Sequence, residues 1–362
     1  MSQFQIRKDD FAKLRVVEES TKALENGQIR VSVEKFAFTA NNITYAATGD
    51  MLGYWQFFPA AGDDSEGWGV IPVWGFARVT ESTLDDLPVG ERLFGYFPPA
   101  NQLTMSPAKL SAQRFMDGAA HRAQLPPGYN NYRRVAAEPG YTSAHDSERM
   151  LLWPLFITSF CLWDALQDNN WYDAQQVIVI SASSKTSIGL GYALQDDDSS
   201  PKVIGMTSAR NKAFVKSLGI YDDCVTYDAC AEIDASLPTV IVDMSGNSAL
   251  LGKLHRQLGE QMKFCINVGL THWDESGANP DIITERSEFF FAPGHIQKRM
   301  KDWGPEGFDE KTSNFITRSS AKSRDWLKLK KMDGLTGLTQ VYGDVCAGRF
   351  APDEGILIEF DE

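Results

Sequence analysis

Ser181, Ala182, Ser183, Ser184, Lys185, Thr186 and Ser187 follow directly on the apolar run Val177–Ile180, and Ile188 and Gly189 close the segment. A buried strand that stops at small residues and restarts as a helix is the layout of a phosphate-binding βα unit. Such a loop usually holds phosphate through backbone N–H groups, which glycines expose at a helix start. Here serines and one lysine replace the glycines. Their hydroxyls and ammonium also donate hydrogen bonds to phosphate, so Ser183, Ser184, Lys185 and Thr186 are candidate ligands of a nucleotide. The same residues also make an ordinary serine-capped helix start. A second cluster, Thr207, Ser208, Ala209, Arg210, Asn211 and Lys212, holds two cations and no acid.

The surrounding pattern says what positions these groups. From Arg149 onward, apolar runs alternate with helical segments. Strands are expected at Gln176–Ser181, Lys202–Thr207, Val225–Tyr227, Thr239–Asp243, Lys263–Gly269 and Glu288–Ala292. Helices are expected at Arg149–Leu166, Thr186–Leu194, Ala209–Leu218 and Ala249–Leu258, with Gly219 and Gly259 as stops. That alternation implies an α/β, doubly wound parallel sheet. The first part is β-rich, with strands at Gln28–Phe38, Val70–Thr80 and Glu91–Phe97. Leu125–Ser147, rich in Pro, Gly, Tyr, Asn and charge, reads as a linker. The tail carries helical segments, one around Leu338–Ala347, and a last strand at Gly355–Phe360.

The chain has 362 residues, enough for two domains with full cores. A formal charge of −13 argues against nucleic acid, which needs a basic face. No apolar run approaches the roughly 20 residues of a membrane span, and Met1–Asp10 has no signal core. Five cysteines, Cys161, Cys224, Cys230, Cys265 and Cys346, lack metal-ligand spacing and fit reduced thiols in a cytoplasm.

Four further segments carry a resemblance. Leu87–Gly95 is similar to the "f-x-V-G-D-r-V-x-G" signature of the medium-chain dehydrogenase/reductase superfamily. Gly205–Lys212 with Phe214–Gly219 resembles its second nucleotide-domain strand and the helix ending in "lGa". Val240–Gly246 resembles its "vDvvfDsvG" strand, and Asn267–Gly269 its "vxxG" strand beside the nicotinamide. Order and spacing agree over nearly the whole chain. The resemblance is to the zinc-free, quinone-oxidoreductase-like branch, and within it to the domain-of-unknown-function family 2855. It implies a β-rich GroES-like catalytic domain from residues 1–148 and 296–362, a Rossmann-type cofactor domain from 149–295, and an active site in the cleft.

No metal is expected, because no cysteine precedes Cys161 to supply the ligands that zinc-bearing relatives use. An NAD site prefers an acid after the second strand, whereas NADP needs cations for its 2′-phosphate. Ser208 and Arg210, supported by Lys212 or Tyr227, therefore point to NADP(H); Ser245 and Gly269 complete the expected cofactor residues. A capping serine and two solvated cations would have the same sequence. Zinc-free reductases need a group that polarises a carbonyl or protonates a carbanion. In the resembling enzymes that region follows the first long strand, here Asn41 to Tyr54. Tyr45 and Tyr54 are candidate donors, and Asn41 or Asn42 would orient substrate. Thr44 stands where many relatives keep Asp. The segment Tyr129–Arg134 is a further candidate for facing the cleft.

The expected activity is NADPH-dependent, zinc-independent reduction of a small enone, quinone or carbonyl compound. Two alternatives stay open: an NADP-binding lyase of retro-aldol type acting on hydroxyketones, and a non-catalytic nucleotide-binding interaction protein. The partner is expected to be a small molecule, with no nucleic acid and no membrane. A homodimer is expected from Glu288–Ala292, which resembles the edge strand that extends superfamily dimers.

Overall fold

The computed structural model describes residues 1–268 and 279–360. Ten strands come first: β1 Ser2–Arg7, β2 Leu14–Glu18, β3 Ile29–Phe38, β4 Trp68–Gly69, β5 Val73–Ser82, β6 Arg92–Phe97, β7 Gln102–Met105, β8 Pro107–Ala108, β9 Arg114–Asp117 and β10 Asn131–Arg134. Helix α1, Ala40–Ala47, follows β3, and α2 spans Asp146–Asp168. Next come β11 Gln176–Ile180, α3 Lys185–Gln195, β12 Lys202–Thr207, α4 Lys212–Ser217, β13 Asp223–Thr226, β14 Thr239–Asp243, α5 Ser248–Leu258, β15 Met262–Asn267 and β16 Ser287–Phe289. The chain ends with α6 Ala292–Ser323, β17 Lys328–Asp333, α7 Gly334–Cys346 and β18 Glu354–Glu359.

Two compact units result, Met1–Leu151 with Arg324–Glu362, and Leu152–Ser323. Residues 296–323, grouped by the sequence reading with the β-rich part, belong to the second unit. They form most of the 32-residue α6, which kinks at Gly304 (φ 74°) just before Pro305. Leu125–Ser147, read as a linker, contains a short turn at Pro127–Asn130 and the paired strand β10. Helix α2 also corrects a sequence expectation. It lies in the one described helix long and apolar enough to cross a membrane, Ser143–Asp168, and 61% of the apolar window is buried. Burial of that kind is how a core helix passes a length-and-hydropathy test.

In the first unit β3 pairs antiparallel with β5, β7 and β18, making it the spine of a nine-stranded sheet. Its alternating apolar residues Ile29, Val31 and Val33 are fully buried, as a two-residue period requires. The second unit is a six-stranded parallel sheet ordered β13-β12-β11-β14-β15-β16. All five residues of β11 are buried, because a central parallel strand is covered on both faces. Strand order reverses beside β11, which runs next to β12 on one side and β14 on the other. Ligands of open α/β sheets bind at the carboxyl ends of the strands at such a switch point.

Candidate functional site

The loop at the end of β11 departs from a glycine loop in sequence, yet its first residue takes a backbone that glycine favours. Ser181 takes the left-handed backbone (φ 63°) that glycine would adopt without penalty. The Tyr227 hydroxyl, from the turn after β13, hydrogen-bonds to Ser181. Ser184 is the N-cap of α3: its Oγ accepts from Ser187 N at 3.2 Å and donates to Ser187 Oγ at 2.8 Å. Lys185 and Thr186 stand in the first turn. Gly189 permits close helix packing, since a Cβ there would lie 2.5 Å from Ser159 Oγ and 2.6 Å from Phe156. Tyr221 braces the loop from below, donating to Ala182 O at 2.9 Å and within 3.0 Å of Ser187 O.

The loop after β12 is tied to this one. Ser183 Oγ accepts from Asn211 Nδ2 at 3.0 Å and from Thr207 Oγ1 at 3.3 Å. Ser208 Oγ is buried without a hydrogen-bond partner among the described residues, which leaves its donor unused. Arg210 is exposed and Lys212 half-buried on the same turn. Ser245 lies at the end of β14, where its N and Oγ both donate to Asp243 Oδ1, at 2.8 and 2.7 Å. Its hydroxyl therefore organises the turn after β14. Burial pushes the Asp243 carboxyl up, while bonds from Ser245 and Gly246 pull it back. Gly269 lies outside the described residues. The other nine expected cofactor residues all lie at the carboxyl ends of β11 to β14, and an orphaned hydroxyl and a helix N-terminus there fit a phosphorylated nucleotide.

In the first unit the expected reacting segment is helical. Thr39 caps α1, and Asn42 completes a capping box by accepting from Thr39 N at 2.7 Å. Asn42 Nδ2 also donates to Pro72 O at 2.8 Å, so this side chain secures α1 to the strand region. Tyr45, one turn on, packs against Tyr54 with ring centroids 4.6 Å apart and the rings tilted by 38°. Tyr54 Oη lies 3.0 Å from Tyr129 Oη, joining the two hydroxyls directly. Tyr96 and Trp74 pack against Tyr129 from below, at 4.9 and 6.1 Å. Desolvation drives the Tyr45, Tyr54 and Tyr129 phenols above their ordinary value of 10, so all three stay protonated in neutral solution.

A buried ion pair underpins this cluster. Arg122 and Asp117 are each 2% exposed and lie 3.1 Å apart. Arg122 also donates to Phe57 O at 3.0 Å and to Tyr132 Oη at 2.7 Å. Tyr132 in turn donates to Tyr96 O at 2.6 Å, and burial pushes its phenol up to about 12. Sequence reasoning found neither this pair nor Tyr96. Arg122 and Asp117 stand five residues apart with no motif to mark them, and Tyr96 meets Tyr132 from 36 residues away. Among the described residues no three of His, Cys, Asp or Glu converge as a metal site.

A family model described as "Protein of unknown function (DUF2855)" matches residues 36–351. The chain belongs to that family. A search of curated proteins gives no match. Among solved structures, CurA from Vibrio vulnificus in complex with NADPH is similar over 100% of both chains, at 10% identity and a TM-score of 0.66. The quinone oxidoreductase from Coxiella burnetii matches over 99% of both chains, at 14% identity and a TM-score of 0.55. An alcohol dehydrogenase superfamily protein from Novosphingobium aromaticivorans matches over 100% of both, at 15% identity and 0.54. This member of the DUF2855 family thus has the medium-chain dehydrogenase/reductase fold, with a GroES-like part and a Rossmann-type part.

Proposed function

We propose that this DUF2855 protein is a zinc-independent, NADPH-dependent oxidoreductase that reduces a small enone, quinone or carbonyl compound. The observation that carries the reading is the end of β12. There a buried, unpartnered Ser208 hydroxyl sits on the same turn as Arg210 and Lys212, next to the serine loop and with no acid in the segment Thr207–Lys212. Such a turn suits a 2′-phosphate and offers no grip on a bare ribose diol. The NADPH complex of a similar fold supports the same cofactor.

Each unit then has a task. Leu152–Ser323 holds the cofactor, with Ser183, Ser184, Lys185 and Thr186 at the pyrophosphate and Ser208, Arg210 and Lys212 at the 2′-phosphate. Tyr227 holds Ser181 in its left-handed turn, Ser245 shapes the neighbouring turn, and Gly269 belongs to the nicotinamide side. The bound cofactor would supply the hydride. Tyr54 donates a hydrogen bond to the substrate oxygen, and Tyr129 stabilises the hydroxyl pair; Tyr45 and Asn42 hold the pair in place. Hydrogen bonding of this kind stabilises negative charge as it develops on an enolate or alkoxide. The protein acts in the cytoplasm as a homodimer that extends its sheets through β16, which among the described residues is an edge strand paired with β15.

The test is loss of NADPH absorbance with a panel of enones, quinones and aldehydes, repeated with NADH. Turnover with NADPH on at least one compound, and little with NADH, is expected. Cleavage of a hydroxyketone without net cofactor consumption would replace this reading with a lyase.

A further inference from the structure

Asn211 occupies the N-cap of α4, where an asparagine ordinarily turns its side chain back onto the helix N–H groups. It makes no such bond. Its amide reaches across to the neighbouring loop instead and donates to Ser183 Oγ at 3.0 Å. Thr207 donates to the same oxygen at 3.3 Å. A hydroxyl has two lone pairs and one proton. With both lone pairs engaged, Ser183 has only its proton left to offer, and no acceptor takes it among the described residues. The residue is 8% exposed, in the loop before α3.

We propose that Asn211, with Thr207, is a positioning residue for the cofactor. It holds the Ser183 hydroxyl with its proton outward, as the donor to a pyrophosphate oxygen that a glycine N–H supplies in a glycine loop. The inference rests on the reading that this sheet edge binds NADP(H). Asn211 follows Arg210 on one short turn, and Asn211 N bonds back to Ser208 O at 3.0 Å. The turn that meets the 2′-phosphate therefore also sets the pyrophosphate donor.

A double-mutant cycle read by calorimetric titration with NADPH and with NADH tests this. Ser183→Ala is expected to weaken NADPH binding about tenfold, the scale of one hydrogen bond to a charged group. Asn211→Ala should cost about fivefold. The double variant should bind no worse than Ser183→Ala alone, because Asn211 acts through that hydroxyl. Ser183→Thr, which keeps the hydroxyl, should restore most of the affinity. Both Ser183→Ala and Asn211→Ala should weaken NADH by the same factor as NADPH, whereas Arg210→Ala should weaken NADPH alone. Melting curves of each variant check that the fold is retained. Losses that multiply in the double variant, or no loss from Asn211→Ala, would overturn the positioning role and leave the cofactor reading intact. Wild-type protein that binds neither nucleotide would overturn both.

Discussion

The two polar regions of this protein handle hydroxyl groups in opposite ways. At the sheet edge of the second unit, serines, a threonine and an asparagine are linked side chain to side chain, and the network stops at donors with no acceptor among the described residues: the Ser183 proton and the Ser208 hydroxyl. In the first unit, phenols are enclosed by other rings and held by a fully buried arginine. The serine edge buries Ser183, Thr207 and the Ser208 hydroxyl, yet leaves donors there without an acceptor among the described residues. The tyrosine cluster invests in burial, and burial keeps its phenols protonated. A phosphate site needs open donors. A hydrogen-bond donor that must stay neutral is served by a low-dielectric wall.

The largest effect should come from the buried ion pair. Arg122→Met leaves Asp117 buried without its cation, and breaking such a pair costs about 3–5 kcal/mol. The expected result is a lower unfolding midpoint in denaturant, with NADPH affinity of the remaining folded protein unchanged. A matching loss of affinity would mean that the two regions are not independent.

Next in size is the hydroxyl pair. Tyr54→Phe should lower kcat about 100-fold, the low end for losing one donor to a developing oxyanion, and leave KM for NADPH within about twofold. Tyr129→Phe should cost less. Because burial raises these phenols, activity should show no loss assignable to them from neutral pH up to about 10. Above that pH an unfolded tyrosine releases its proton and the buried ones keep theirs, so stability should fall as pH rises. A kcat profile that drops between pH 7 and 9 and flattens in Tyr54→Phe would contradict the burial argument.

The smallest effect concerns the strained serine. Ser181→Gly removes the left-handed penalty of a non-glycine residue, on the order of 1 kcal/mol. It also removes a bond to Tyr227, worth about the same. Thermal stability should therefore change little. A marked loss would mean that the Tyr227 contact, rather than loop conformation, is what the serine provides.

What the sequence disclosed follows from the range of the forces involved. The buried run at β11 and the Ser184 cap are local, so hydrophobic period and cap chemistry revealed them. The ties that shape the site are not local. Asn211 and Ser183 are 28 residues apart, and Tyr54 and Tyr129 are 75 apart. Nothing in the spacing of a single chain shows that such residues meet. Turn residues misled in one place. Pro127 and Gly128 mark a real turn, and their signal hid the four-residue β10 that follows it. Asn42 was a candidate to orient substrate because the resembling reductases place their reacting residues after the first long strand. The structure shows that segment as a capped helix, with Asn42 in the capping box.

The most direct test of the account is calorimetric titration of the wild-type protein and Arg210→Ala with NADPH and NADH. The account predicts that wild type binds NADPH at least tenfold more tightly than NADH, and that Arg210→Ala removes most of that difference. Equal affinity for the two nucleotides, or a preference that survives Arg210→Ala, would contradict it.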